Sequence, residues 1–340
     1  MLTPAALFFL SLTGCETIQG LIGGGPEEGL SSAETSLKAG DLPGAADAYS
    51  AVLMDHPDNL DAAIGAAYTA LLQGDTEAAD GYLAAAEPDA GERLSEIKLR
   101  RALVALKAGD LEKVSEHGEA SGSPEGFLFA AEVALADGER EDAAVLLGKV
   151  IGGDAGTVAG EYMALINDPD PLVAGLSEAQ ALWALGEQKV AVRSVEELVK
   201  ALPDSRDDRD TLLLLWASRS SALGESDIAR SLLDLVIFPP QGQAWRKAAT
   251  LAIISCSEGD SETCLDLFDK LDGNAPSDGL ADARATAAVL IAEDNPEVAR
   301  QLAGRYTSNA AARALLEAGD RSGAASAAPD GPLRSYLQGG

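Results

Sequence analysis

Aromatic side chains are scarce in this 340-residue sequence, at 4% of the total. Such residues dominate the energetics of thick globular cores. Here alanine and leucine carry most of the apolar content, which suits thin helix–helix seams. Histidine is almost missing, with only His56 and His117, and the three cysteines are Cys15, Cys256 and Cys264. The histidines lie far from the cysteines in sequence, so no zinc-ligand spacing is present. No Ser/His/Asp or Cys/His set is spaced for nucleophilic catalysis. No Gly-rich loop carries a lysine for phosphate. No catalytic role, cofactor or metal site is therefore expected. Positive charge is short as well: 25 Lys and Arg stand against 55 Asp and Glu, a net charge of −30. Phosphate binding needs a basic face, so no nucleic-acid partner is expected. The acidity has three readings: a solvated surface, adaptation to a salty medium, or steering toward a basic partner. Long apolar runs are absent too. The stretch from Ala5 to Leu12 is far too short to span a bilayer.

What the sequence does have is a repeat. Alanines at 33, 67, 102, 131, 179, 217, 252, 287 and 312 each precede a turn residue by seven positions. The turn residues are Gly40, Gly74, Gly109, Gly138, Gly186, Gly224, Gly259, Asp294 and Gly319. Five residues beyond each turn comes a second small residue: Ala45, Ala79, Ala143, Ala191, Ala229, Ala299 or Ala324, with Val114 and Cys264 as exceptions. Small residues at these offsets let two antiparallel helices approach closely across a turn. In the first unit Gly40-Asp41-Leu42 makes the turn, Ala45, Tyr49 and Val52 follow at helical spacing, and Pro57 closes the second helix.

This pattern, recurring every ~34 residues, resembles the tetratricopeptide repeat. The resemblance covers roughly residues 26–332. It implies an all-α, right-handed solenoid of about eight or nine helical hairpins, in which each unit packs on its neighbours. A plain antiparallel bundle is the structural alternative. In the third unit Gly118 and Ser121 fall where apolar residues belong, predicting a short or frayed second helix with His117 facing solvent. The spacing from Gly138 to Gly186 is 48 residues, and Gly and Pro punctuate 152–171. The expected organisation is an N-terminal array over 30–152, an irregular joint over 153–171 holding a turn or short helix, and a C-terminal array over 172–340 with a degenerate end unit.

The first residues carry a second resemblance. Leu12-Thr13-Gly14-Cys15 resembles the lipobox of bacterial lipoproteins, although 1–14 holds neither the Lys nor the Arg with which a signal peptide ordinarily opens. The resemblance implies a signal peptide over 1–14, cleavage before Cys15, and acylation there, which anchors the chain to a membrane. Glu16 in place of an aspartate favours the outer membrane, facing the periplasm. Residues 15–29, with Gly-Gly-Gly-Pro and three glutamates, read as a lipidated cysteine and flexible tether. The alternative is an apolar N-terminal helix with an incidental cysteine.

Cys256 and Cys264 flank the Gly259-Asp260 turn. A hairpin there can bring their Cα atoms within the ~4.4–6.8 Å a disulfide requires; two buried thiols are the alternative. His56, before Pro57, reads as a helix-end cap. The acidic stretch Asp204–Asp210 lacks calcium-loop spacing and reads as charge at a helix N-terminus. Trp183, Trp216 and Trp245 fall on first helices, which in the family line the concave face. Each is either seam packing or a groove anchor. With Arg219, Arg246 and Lys247 they form the candidate partner-binding patch, both apolar and basic. The family's clamp for chaperone tails is not expected, because the corresponding positions hold Ile64, Tyr68, Leu99 and Gln180.

The expected function is a membrane-anchored protein–protein scaffold in assembly of bacterial cell-envelope complexes. Two alternatives are a periplasmic, chaperone-like holder of clients and an accessory regulator of a cell-wall enzyme.

Overall fold

A computed structural model describes residues 26–203, 207–239, 241–304 and 307–329, with 334 and 337. The lipobox and Cys15 lie outside these residues. Among the described residues all regular structure is helical: nineteen α-helices and two 3₁₀ turns, with no strand. The chain divides into two compact units, Met1–Glu187 and Gln188–Gly340.

The first unit contains α1 (Pro26–Lys38), α2 (Leu42–Asp55), α3 (Leu60–Leu72), α4 (Thr76–Ala86), α5 (Leu94–Ala108), α6 (Leu111–Ser121), α7 (Pro124–Ala136), α8 (Arg140–Leu147), α9 (Gly153–Ile166) and α10 (Pro171–Ala184). The 3₁₀ turns Glu87–Asp89 and Gly91–Arg93 join α4 to α5. The pairs α1/α2, α3/α4, α5/α6 and α7/α8 form the hairpins.

The recurrent Gly-Asp dipeptide explains how one helix ends and the next begins. Gly109 ends α5 at φ 74, a conformation that costs other residues a steric clash. Asp110 then turns its carboxylate onto the Lys113 N–H at 3.2 Å, satisfying one of the free donors that open α6. The Asp110 N–H itself returns to the Ala105 carbonyl at 2.9 Å. Asp41, Asp75, Asp260 and Asp320 cap their helices in the same way. All eight turn glycines named above have positive φ. Every small residue at the two seam offsets is buried, from Ala33 and Ala45 to Ala312 and Ala324, with Val114 and Cys264 buried at their positions.

Three expectations about the first unit are corrected. The tether does not reach residue 29, because α1 starts at Pro26, where a proline suits the first helical position. Helix α6 is neither short nor frayed. Gly118 and Ser121 are buried in it, because α6 and α7 cross backbone against backbone. A Cβ on Gly118 would lie 2.6 Å from the Gly126 carbonyl oxygen, and one on Gly126 would lie 2.3 Å from that of Gly118. Ser121 donates to the Gly118 carbonyl at 2.7 Å and accepts the Ser123 N–H at 3.1 Å. The same crossing buries His117, which was expected in solvent.

The third correction concerns 153–171. Most of it is α9, a 14-residue helix burying Ala155, Ala159 and Tyr162. It packs on α7, α8 and α10, while α10 also packs directly on α7. The stacking of first helices therefore continues from α7 to α10, with α9 inserted beside it. Helix α10, read from sequence as opening the second array, belongs to the first compact unit.

The second unit contains α11 (Gln188–Lys200), α12 (Arg209–Ala222), α13 (Ser226–Asp234), α14 (Ala244–Ser257), α15 (Ser261–Leu271), α16 (Ser277–Ile291), α17 (Pro296–Ala303), α18 (Asn309–Glu317) and α19 (Arg321–Ala327). Hairpins α12/α13, α14/α15, α16/α17 and α18/α19 stack so that α12, α14, α16 and α18 pack in succession. Helix α11 packs on α12 and α13. Each unit is thus a solenoid of tetratricopeptide-like hairpins, its core divided among seams rather than gathered at one centre. Among the described residues no helix is long and apolar enough to cross a membrane.

Candidate functional site

The packed first helices α12 and α14 of the second unit carry all of the candidate patch but Trp183. On α12, Trp216 is 1% exposed and packs in the seam. Arg219, three residues on and so on the same helix face, holds its guanidinium carbon 4.5 Å from the indole centroid. On α14, Arg246 lies 5.5 Å from the Trp245 centroid. Trp245 is half-buried, with its ring laid against α16 at Gly279. A Cβ on Gly279 would come within 2.5 Å of that ring, so a larger residue there requires the indole to shift. The Ser218 and Thr250 hydroxyls meet at 2.9 Å and tie α12 to α14. An arginine over a tryptophan face gains about 0.5–2 kcal/mol, more as water is excluded.

Two predicted members take other roles. Lys247 turns away to donate from Nζ to the Val236 carbonyl at 3.1 Å. It fastens the segment after α13 rather than adding charge to the patch. Trp183 sits on α10 in the first unit and is 9% exposed, so it serves packing. Of the three tryptophans only Trp245 keeps substantial access to solvent.

Cys256 and Cys264 are joined as a disulfide across the α14/α15 turn, with Cα atoms 5.1 Å apart. Cys264 occupies the offset that alanine holds in most other units, so the bridge sits inside the seam. His56 caps α2 through its backbone N–H, which donates to Val52 O. Arg209, from the acidic stretch, is buried. It donates to the Leu202 carbonyl at 3.0 Å and the Leu235 carbonyl at 3.1 Å. Among the described residues no group of three His, Cys, Asp or Glu side chains is placed to hold a metal.

Several cations of the first unit pair with carboxylates across its helices. Arg101 reaches both Asp80 oxygens, at 2.7 and 3.1 Å, and Glu87 at 2.6 Å. The hydrogen bond from Arg101 holds the Asp80 carboxyl below its ordinary value. This pinning joins α4 to α5. Buried polar groups in this unit include Glu132, which the sequence reading passed over, and His117, which it placed in solvent. Glu132, 4% exposed, has its carboxyl pushed up to about 8 by burial. Burial also lowers the His117 pKa, and neither ring nitrogen finds a hydrogen-bond partner. Glu132 did leave a signal: a lone carboxylate within the apolar run from Phe127 to Ala136.

No family model matches the chain, and no curated protein matches it. Among solved structures, the crystal structure of the P58(IPK) TPR domain is similar over 92% of this chain and 96% of that one, at 16% identity and a TM-score of 0.26. The assignment of helical hairpin repeats rests on this chain's own turns and seams.

Proposed function

We propose that this chain is a membrane-anchored scaffold that holds partner proteins during assembly of bacterial cell-envelope complexes. The observation that carries protein binding is Trp245, half-exposed, held in place by Gly279 and topped by Arg246. Tryptophan and arginine are the side chains most enriched at the energetic centres of protein interfaces. Here both are presented on stacked helices rather than on a mobile loop. The envelope location draws on the Leu12-Thr13-Gly14-Cys15 pattern and on the Cys256–Cys264 bridge, since structural disulfides persist in oxidising compartments.

The test is chemical crosslinking in intact cells followed by isolation of the full chain. The expected result is one envelope protein recovered in stoichiometric amount, with recovery falling in the Trp245→Ala/Arg246→Ala double variant. Absence of any stoichiometric partner overturns the scaffold reading. Cys15→Ala should move the chain out of the membrane fraction with its helicity intact. If that variant stays membrane-bound, the anchor at Cys15 is wrong.

A further inference from the structure

The segment between α13 and α14 presents two large apolar side chains to water. Phe238 is 81% exposed and Ile237 57% exposed. Loop tips are ordinarily polar and mobile; this one is apolar and pinned. Arg209 Nη1 donates to the Leu235 carbonyl at 3.1 Å, and Lys247 Nζ donates to the Val236 carbonyl at 3.1 Å. The Phe238 N–H donates to Asp210 Oδ2 at 2.6 Å. Pro239 follows with its fixed φ and no donor. Three side chains from two first helices thus hold the backbone, and the Ile237 and Phe238 side chains stand in solvent. Two exposed aspartates lie close by in the chain. Asp234 lies three residues before Ile237, and Asp207 lies three before the Asp210 that grips Phe238.

We propose that Ile237-Phe238 is a docking knuckle that inserts into an apolar pocket on a partner protein, with Asp207 and Asp234 meeting a basic rim around that pocket. The inference rests on the reading of this chain as a protein-binding scaffold, and assigns it a second contact and a partner chemistry. The charges select the occupant. A second copy of the chain brings its own net charge of −30 and the same two aspartates. An anionic lipid surface repels the same rim. A basic-rimmed pocket gains from each carboxylate and is steered in from a distance. The pinned backbone lowers the ordering cost that a free loop would incur on binding.

The test places a photoreactive benzoylphenylalanine at position 238 of the full chain in producing cells, then measures affinity for the purified crosslinked protein. The expected crosslink maps to an apolar pocket with Lys or Arg at its edge. Phe238→Ala should weaken binding at least about tenfold while leaving the melting curve unchanged, since the ring is exposed. Asp207→Asn/Asp234→Asn should reduce the salt dependence of binding. A partner bound equally well by Phe238→Ala overturns the knuckle and leaves the scaffold reading standing. Crosslinks only to lipid, or only to another copy of this chain, overturn it too. If no protein is captured at position 238 while the Trp245 face still recovers its partner, the knuckle again fails alone; if neither captures one, both readings fail.

Discussion

The Tyr162 hydroxyl on α9 donates to Glu132 Oε1 on α7 at 3.1 Å, inside a seam closed to water. Burial pushes the Glu132 carboxyl up to about 8 from an ordinary 4.5, outweighing the hydrogen bond that acts the other way. The carboxyl is therefore neutral at pH 7. Between about 4.5 and 8 the folded chain holds a proton there that the unfolded chain has released. Stability consequently falls as pH rises through that window, by up to roughly 1.4 kcal/mol per unit, and no further above it. Glu132→Gln keeps the shape and an acceptor for Tyr162 but cannot titrate. Its urea midpoint should exceed that of the parent at pH 8 by more than at pH 5. Parallel pH profiles for the two chains would show that Glu132 is not held neutral.

His117 works in the opposite direction. Burial lowers its pKa below 6.5, so at acidic pH the unfolded chain binds a proton that the folded one refuses. Stability contributed by the neutral ring is lost as pH falls below about 6.5. His117→Met removes two buried nitrogens that have no hydrogen-bond partner. Replacing an unsatisfied buried polar group by an apolar one of similar size is close to neutral or stabilising. The variant should match or exceed the parent's melting temperature at pH 7, with the margin growing toward pH 5. A shrinking margin would place the ring in contact with water.

The Gly118–Gly126 crossing has a steep steric requirement. Alanine at either position drives a methyl group into the facing carbonyl. Each facing carbonyl belongs to helix backbone and cannot move aside, and at Gly126 the Ser121 hydroxyl crowds the same space. Gly118→Ala and Gly126→Ala should each cost about 1–3 kcal/mol, although alanine is the better helix former by about 1 kcal/mol. Chemical denaturation checks the sign. A stabilised Gly118→Ala would mean that α6 and α7 stand apart.

The same crossing marks where the sequence was legible and where it was not. The turns were plain because a left-handed backbone all but demands glycine, and a following aspartate is the natural cap. Ala45 and its counterparts were plain because close helix approach limits side-chain size. Gly118 was misread because a glycine that breaks a helix and one that lets two helices touch look alike in one dimension. His117 was misplaced by the same error, since its burial is set by α7, which follows it in the chain. The Gly138–Gly186 spacing announced an insertion, but not that α9 would pack beside α7 and α10. In the candidate patch, Trp216 and Arg219 stand three residues apart, a spacing that puts them on one helix face, whereas Trp245 and Arg246 are chain neighbours whose contact no periodicity announces. The role of Lys247 was not legible either, because its partner, the Val236 carbonyl, belongs to a segment whose path no periodicity describes.

The seating of Trp245 is open to an optical test. Trp183 and Trp216 are buried, so emission accessible to iodide should come mainly from Trp245. Trp245→Phe should remove most of the quenchable fraction. Gly279→Ala should raise it, because the added methyl would press the indole off α16. If Trp245→Phe leaves the quenchable fraction unchanged, the three indoles are equally sheltered or equally open.

The Cys256–Cys264 bridge closes a short loop, eight residues apart in sequence. In the chain-entropy description, cross-linking so short a loop stabilises the fold by about 2–3 kcal/mol through the unfolded state. Cys264 is fully buried at an offset where alanine serves in most other units. Cys256→Ala/Cys264→Ala therefore keeps a small residue in the seam, and the stability lost reports mainly on the cross-link. The double variant should remain helical and unfold at lower denaturant. Reducing agent should shift the parent toward the variant and leave the variant itself unmoved. Thiol counting gives an independent reading in the Cys15→Ala chain, where only this pair remains. Without reductant no thiol should alkylate even after unfolding, and with reductant two should. Two reactive thiols before reduction would show that the seam holds a pair of free cysteines.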